Sequence, residues 1–395
     1  MTEGRVVFLW PNLIVPNGGA KFIFEAAKAT ARKRSVEVVV DSASHFWRDE
    51  FQRAGIPLTE IDPATPINWR YWLQLRQLVR RDVRAVATRA AGASAVVSTY
   101  FPMQWVGAEV AREQGLRHVH LCFEPFPMFH ARYLMKGEPW GRRLRFRAYT
   151  LAYRGLDTKG ITRAHALLTL NPTTARAVAA TYDRHDAVST YTGIDFDRFR
   201  PYSEEEVAHL RARLGDGPFA IHSTDLGPIK RSDLALRAFA AASAPGKLIV
   251  TATSLDPARV ARFESLVAEL GLRGRVEFLG FVDPDDLPRL YSMANVLIQT
   301  GVDERMGATS MSLPVKEALA CGTPAIRSDV TDEDVQDGVS GFLVDPRAID
   351  ATAERIALLM ADSALSEEMG AAGRRRMRER FSWDRVAEVI LEAAS

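Results

Sequence analysis

The chain has 395 residues, 47% hydrophobic and 25% charged, with 51 Lys and Arg against 49 Asp and Glu for a formal charge of +2. At about 150 residues per domain this length predicts two compact domains, and 26 Gly with 20 Pro, near average usage, exclude collagen-like, low-complexity and disordered chains. Two cysteines, Cys122 and Cys321, stand in apolar contexts and read as free buried thiols, which fits a reducing cytoplasm.

Met1 to Arg5 leads into an apolar run ending at Trp10-Pro11 that lacks the basic region, length and cleavage site of a signal peptide, so it reads as a first strand. Further strands are predicted at Val36–Val40, Ala95–Ser98, His118–Cys122 and Ala166–Leu170, with helices at Ala20–Lys33, Trp69–Arg89 and Gln104–Gln114. That alternation implies a parallel sheet. Gly18 and Gly19 sit where the first strand passes into the first helix. There they either let backbone N–H groups approach an anion or simply punctuate the turn. The longest uncharged stretch, Ala90 to Ala108, holds Pro102, Gln104 and several Ser and Thr, so no membrane-spanning helix is expected.

Two segments are rich in arginine and aromatic residues. Trp69–Arg89 combines Trp69, Trp72, Leu73, Leu78 and Val83 with six arginines, and Trp140–Arg154 interleaves Arg142, Arg143, Arg145 and Arg147 with Phe146, Tyr149 and Tyr153. Each composes either a helix lying on an anionic membrane or a helix packed on its own sheet with a solvated arginine face. No nucleic-acid recognition motif accompanies them, and no nucleic-acid partner is expected. Split at Asp195, the first part carries 27 Lys and Arg against 17 Asp and Glu and the remainder 24 against 32, about +10 and −8. The asymmetry fits an anionic partner for the first part, or attraction between the parts.

After Asp195 the pattern restarts. Strands are predicted at Phe219–His222, Lys247–Thr251, Val276–Leu279, Val296–Gln299 and Pro324–Ile326, and helices at Ser232–Ala242, Pro257–Leu270, Pro284–Met293 and Leu313–Ala320. The joint is expected in Phe196–Pro218, which holds a charged helix-like piece, and Phe381-Ser382-Trp383-Asp384 opens a last amphipathic helix. The fold class is α/β: two Rossmann-like, doubly wound parallel-sheet domains facing a central cleft, spanning 1–200 and 201–380, with 381–395 as a C-terminal helix crossing back.

The chain lacks the dinucleotide glycine fingerprint, the P-loop, a zinc-type Cys/His cluster and the G-x-S-x-G elbow. Its densest chemistry is Asp303–Asp329, where small polar residues run into a helix. Thr309, Ser310 and Ser312 can cap that helix, leaving its first N–H groups for a pyrophosphate, while Glu317 lies one turn inside. Glu317 reads either as a grip on ribose hydroxyls or as a solvated helix carboxylate.

Glu317 to Ile326, with Ser310 to Pro314 before it, resembles the nucleotide-sugar signature of retaining glycosyltransferase family 4, which has the GT-B fold. Gly18-Gly19-Ala20, Tyr191 to Asp195, Arg198 to Pro201, Pro228 to Arg231, Val276 to Gly280, Gly338 to Val344 and Phe381 to Trp383 agree in order and spacing. The resemblance implies transfer of a sugar from a nucleotide diphosphate to an acceptor hydroxyl or amine with retention of configuration. It implies no bound metal or cofactor, and a small-molecule or lipid-linked acceptor. The donor is expected on the second domain and the acceptor on the first. By resemblance Lys230 neutralises the β-phosphate, Glu317 holds the ribose, and backbone N–H groups around Met311, Ser312 and Leu313 take the pyrophosphate.

Two positions depart from the family pattern. Thr309 stands where its first Glu contacts the sugar, and Asp225 where it has Arg, so the pair marks a changed donor or a lost activity; Arg231, Asp303 and Glu304 are candidate substitutes. On the first domain Glu124 and His130 are the polar candidates to orient an acceptor hydroxyl, while His118 and His120 read as packed strand histidines. Three other readings stay open: a pseudo-glycosyltransferase coupling a nucleotide-activated cyclitol, a non-catalytic nucleotide-sugar binder, and a dehydrogenase.

Overall fold

The computed structural model describes residues 4–14, 18–62, 69–130, 139–253, 256–302, 313–328 and 333–395. It divides into two compact units, residues 1–193 with 383–395, and residues 194–382.

The first unit runs β1 (Arg5–Leu13), α1 (Gly18–Ala31), β2 (Val36–Ala43), α2 (His45–Arg53), β3 (Leu58–Glu60), α3 (Trp69–Ala90), β4 (Ala93–Ser98), α4 (Met103–Gln114), β5 (Arg117–Cys122), α5 (Pro127–His130), α6 (Trp140–Thr162), β6 (Ala166–Thr169), α7 (Pro172–Tyr182) and β7 (Val188–Ser189). Its strands form a parallel sheet of order β3-β2-β1-β4-β5-β6-β7. β1 is apolar at successive positions because both its faces are covered, the rule for parallel sheets. Val6, Phe8 and Trp10 face one core with Phe22, Ile23 and Phe51, while Val7 and Leu9 face another with Leu75, Val79 and Val106.

The second unit runs α8 (Glu204–Leu214), β8 (Phe219–Thr224), α9 (Ser232–Ala241), β9 (Lys247–Ala252), α10 (Pro257–Glu269), β10 (Val276–Gly280), α11 (Asp286–Met293), β11 (Val296–Gln299), α12 (Leu313–Ala320), β12 (Ala325–Ser328), β13 (Gly341–Val344), α13 (Ile349–Ala361) and α14 (Ser363–Arg380). The sheet is parallel, of order β10-β9-β8-β11-β12-β13. Both sheets reverse direction beside their first strand, between β1 and β4 and between β8 and β11, and at such switch points strand ends open a crevice.

The structure adds to and adjusts these expectations locally. Periodicity does not reveal the short strands β3, β7 and β13, since two to four residues cannot establish a period of two. The joint begins earlier than Arg200, at Gly193/Ile194, because Phe199 is buried and its carbonyl accepts from Arg374 of α14 at 3.2 Å. The charged helix-like piece Ser203–Leu214 is the helix α8 with its cap. Ser203 and Glu206 form a reciprocal capping box, and Val207, Leu210 and Leu214 are buried. Helix α11 starts at Asp286, two residues after the predicted Pro284.

The last helix, α15 (Trp383–Ala394), packs on α1 of the first unit, with Arg32 and Lys33 paired to Asp384 and Glu388 at 2.7 and 2.8 Å. Gly193 lies against its start. A Cβ there would stand 2.7 Å from the Trp383 nitrogen and inside the indole ring's contact surface.

Candidate functional site

In the second unit the switch point is built by the loop from β8 to α9 and by the residues after β11. Thr300 donates its hydroxyl to the Arg231 carbonyl at 2.9 Å, and Val302 N–H donates to the Ile229 carbonyl at 2.9 Å, so the two segments are stitched together. Beneath them a relay of hydrogen bonds has a forced direction. The Nδ1 of His222 lies 2.8 Å from the Ile298 carbonyl, which can only accept, so Nδ1 carries the proton and Nε2 accepts from the Ser232 hydroxyl at 2.9 Å. Ser232 then accepts from Thr224 at 3.0 Å, and Thr224 from the Leu226 N–H at 2.9 Å. Burial, with the Lys230 ammonium adding to it, holds His222 down at about 4, so the imidazole is neutral and the relay is complete at neutral pH.

This relay presents Lys230. Its N–H closes a turn onto the Gly227 carbonyl at 3.0 Å, the residue is half-buried, and its ammonium has no hydrogen-bond or ion-pair partner among the described residues. Asp225 is committed within the loop: its carboxylate accepts the Gly227 N–H at 2.7 Å, an Asx turn. Arg231, in the left-handed conformation at φ 47°, directs its guanidinium onto both oxygens of Asp233 at 3.0 Å.

Glu317, on α12, is buried, not a solvated helix carboxylate, and its charge adds to burial in raising the Tyr291 hydroxyl. Thr309, Ser310, Met311 and Ser312, with Asp303 and Glu304, lie outside the described residues, while Leu313 is the first residue of α12. Beside Glu317, Lys316 and Arg327 both pair with the buried carboxylate of Asp334, which they hold at about 2.

Two features of this unit escaped sequence reading. Gln299 ends β11 with 2% exposure, and neither of its amide atoms has a hydrogen-bond partner among the described residues. Such a buried amide is uncommon enough to ask for a ligand or water atom. Phe281, just past β10, exposes 67% of its surface at the carboxyl edge of the sheet. Periodicity registers neither, since each lies at a strand end.

In the first unit Gly18 and Gly19 begin α1. A Cβ at Gly18 would meet nothing within 4 Å, so space does not require glycine there. His130 closes α5 and bonds through Nε2 to Asp157 at 2.8 Å; the fully buried Asp157 also accepts from Tyr182 at 2.9 Å and Gln104 at 2.6 Å. Glu124 stands exposed beyond β5. His118 and His120 are buried strand residues sharing the Ser98 hydroxyl at 2.7 and 3.0 Å, and burial pushes both down to about 3. Cys122 and Cys321 are free and buried, their thiols raised by burial. Among the described residues no group of three or more His, Cys, Asp or Glu is placed to hold a metal, and no helix is long and apolar enough to cross a membrane.

Residues 209–376 match the family described as Glycosyl transferases group 1. The chain is 31% identical over 232 residues to a D-inositol 3-phosphate glycosyltransferase of Salinispora tropica, covering 53% of this chain and 47% of that protein. It is 30% identical over 207 residues to a GDP-mannose-dependent alpha-(1-6)-phosphatidylinositol monomannoside mannosyltransferase of Mycobacterium tuberculosis, covering 51% and 53%. The chain thus spans about half the length of the curated relatives it matches. Along its whole length it superposes on the Anabaena protein HepE solved in complex with UDP, with a TM-score of 0.75, 20% identity and 98% coverage of both chains. The fold is that of GT-B proteins, with two parallel Rossmann-like sheets.

Proposed function

We propose that the chain is a glycosyltransferase that moves a hexose from a nucleoside diphosphate sugar to an acceptor hydroxyl or amine, with retention of configuration and without a metal. The observation that carries the reading is the Lys230 ammonium at the switch point of the second unit, which has no hydrogen-bond or ion-pair partner among the described residues. The similarity of residues 209–376 to group 1 glycosyl transferases supports it.

In this reading the second unit holds the donor. Lys230 faces the diphosphate, α12 offers its first N–H groups, from Leu313 on, to the pyrophosphate, Met311 and Ser312 remain candidates by resemblance alone, Glu317 takes the ribose hydroxyls, and the exposed ring of Phe281 stacks on the base. Gly18 and Gly19 offer a second helix start to a phosphate. As the glycosidic C–O bond breaks, its electron pair goes to the diphosphate oxygen, where Lys230 meets the new charge. The acceptor oxygen bonds to the anomeric carbon on the face being vacated, and its proton passes to the leaving phosphate oxygen. The first unit then serves mainly to position the acceptor, with His130 and Glu124 as its polar contacts. The acceptor is a small molecule or a lipid-linked one.

Asp225 need not signal a changed donor, because its carboxylate is used in folding the loop that carries Lys230. A thermal-shift panel of UDP- and GDP-sugars tests the reading. A donor at 100 times its Kd adds about 2.7 kcal/mol of stability. No response across the panel would sink it, and binding without transfer to any acceptor would favour a non-catalytic nucleotide-sugar binder.

A further inference from the structure

Helix α6 is apolar on two faces, and its fold uses one of them. Inward, the Tyr149 ring stacks on Trp72 of α3 at 5.2 Å, the Tyr153 hydroxyl donates to the Trp72 carbonyl, and Ile161 is buried. Outward, Trp140, Leu144 and Leu151 are 80%, 58% and 88% exposed. At 3.6 residues per turn these three fall within about 40° of one another, a stripe about 17 Å long.

Charge frames the stripe. Exposed Arg143, Arg147 and Arg154 border one side and exposed Arg145 and Lys159 the other. The four arginines have no carboxylate partner among the described residues. The one acid of the helix, Asp157, is fully buried and bonded inside the fold. Next to this helix, α3 adds Leu73, 69% exposed, and exposed Arg76, Arg80 and Arg84, while its acid, Asp82, is buried. Among the described residues the solvent side of α6 therefore offers apolar side chains and cations and no carboxylate.

We infer that α6 docks this protein on an anionic lipid bilayer, with Trp140, Leu144 and Leu151 below the headgroups and the flanking arginines at the phosphates. An apolar ridge between two cationic rows matches the order of acyl chain and phosphate across a bilayer surface. A second copy of the chain, meeting this face through two-fold symmetry, sets arginine rows against arginine rows. RNA engages the arginines and leaves Leu144 and Leu151 in water. The inference does not depend on the proposed transfer reaction.

The test is co-sedimentation of the full chain with phosphatidylcholine vesicles and with vesicles about one third phosphatidylglycerol. Two variants accompany it, Leu144→Ser with Leu151→Ser and Arg143→Gln with Arg147→Gln, each checked for an unchanged melting temperature because all four positions are exposed. The expected result is about tenfold tighter binding to anionic vesicles, lost by about tenfold in each variant. Three outcomes overturn the inference: equal binding to both vesicle types, anionic binding that survives the leucine changes, or a dimer in solution that those changes abolish. Wild-type preference for single-stranded RNA over anionic vesicles overturns it as well.

Discussion

His222 and Ser232, ten residues apart, share a 2.9 Å hydrogen bond whose direction is set by the Ile298 carbonyl on the far side of the imidazole. One neutral histidine thereby ties the end of β8, the start of α9 and the end of β11 into one frame under Lys230. Replacing His222 with Phe removes the acceptor for Ser232 and the donor for Ile298 in a fully buried place. The expected cost is about 2–4 kcal/mol in denaturant unfolding, from unsatisfied buried groups and overpacking. Ser232→Ala should cost about 1 kcal/mol. A His222→Phe protein as stable as the parent would show that the relay holds nothing together.

Lys230→Ala should leave the melting temperature within a degree or two, because the ammonium bonds to nothing in the described protein. If Lys230 stabilises the leaving diphosphate, kcat falls by about 10²–10³. Near-normal turnover would remove that role.

Gln299→Leu separates two meanings of one buried amide. Without a ligand the substitution should stabilise the protein or leave it unchanged, since it deletes an unpaired polar group. If the amide completes a donor site, nucleotide-sugar affinity by calorimetry should drop about tenfold in the same variant. A loss of stability with unaltered affinity would mark the amide as structural.

Stability should peak near pH 6.5. His118, His120 and His222 are held at about 3, 3 and 4, below the ordinary 6.5, so in that interval the unfolded chain binds more protons and stability falls as pH drops below 6.5. Asp41 has the opposite sign. Burial first, then the Asp82 charge, pushes it up to about 8, so the folded chain is the better proton binder from 3.8 to 8 and stability falls as pH rises through that range. Asp41→Asn should therefore flatten the curve between pH 6.5 and 8. A parent urea midpoint that stays constant from pH 5 to 8 would contradict both assignments.

Asp334→Asn should cost about 3–5 kcal/mol, since it removes the buried carboxylate with which Lys316 and Arg327, 3% and 2% exposed, both pair. An Asp334→Asn variant that melts with the parent would show that the charges find solvent instead.

By itself the sequence determined the two Rossmann-like series, because a strand covered on both faces must be apolar at successive positions and a helix must repeat near 3.6; β11 and α12 coincide with their predicted spans for that reason. It also marked Glu317 by its place one turn inside a capped helix, and Lys230 by resemblance to a known family. What it left undecided was partnership. Asp225 and Arg231 look alike as charges in a string, yet one folds an Asx turn and the other is locked to Asp233. Periodicity says that Trp140, Leu144 and Leu151 share a face of α6; only packing against Trp72 decides that this face is the one left outside. The reason is physical: backbone pattern is a property of neighbours along the chain, whereas burial and hydrogen-bond partners come from residues brought together across it.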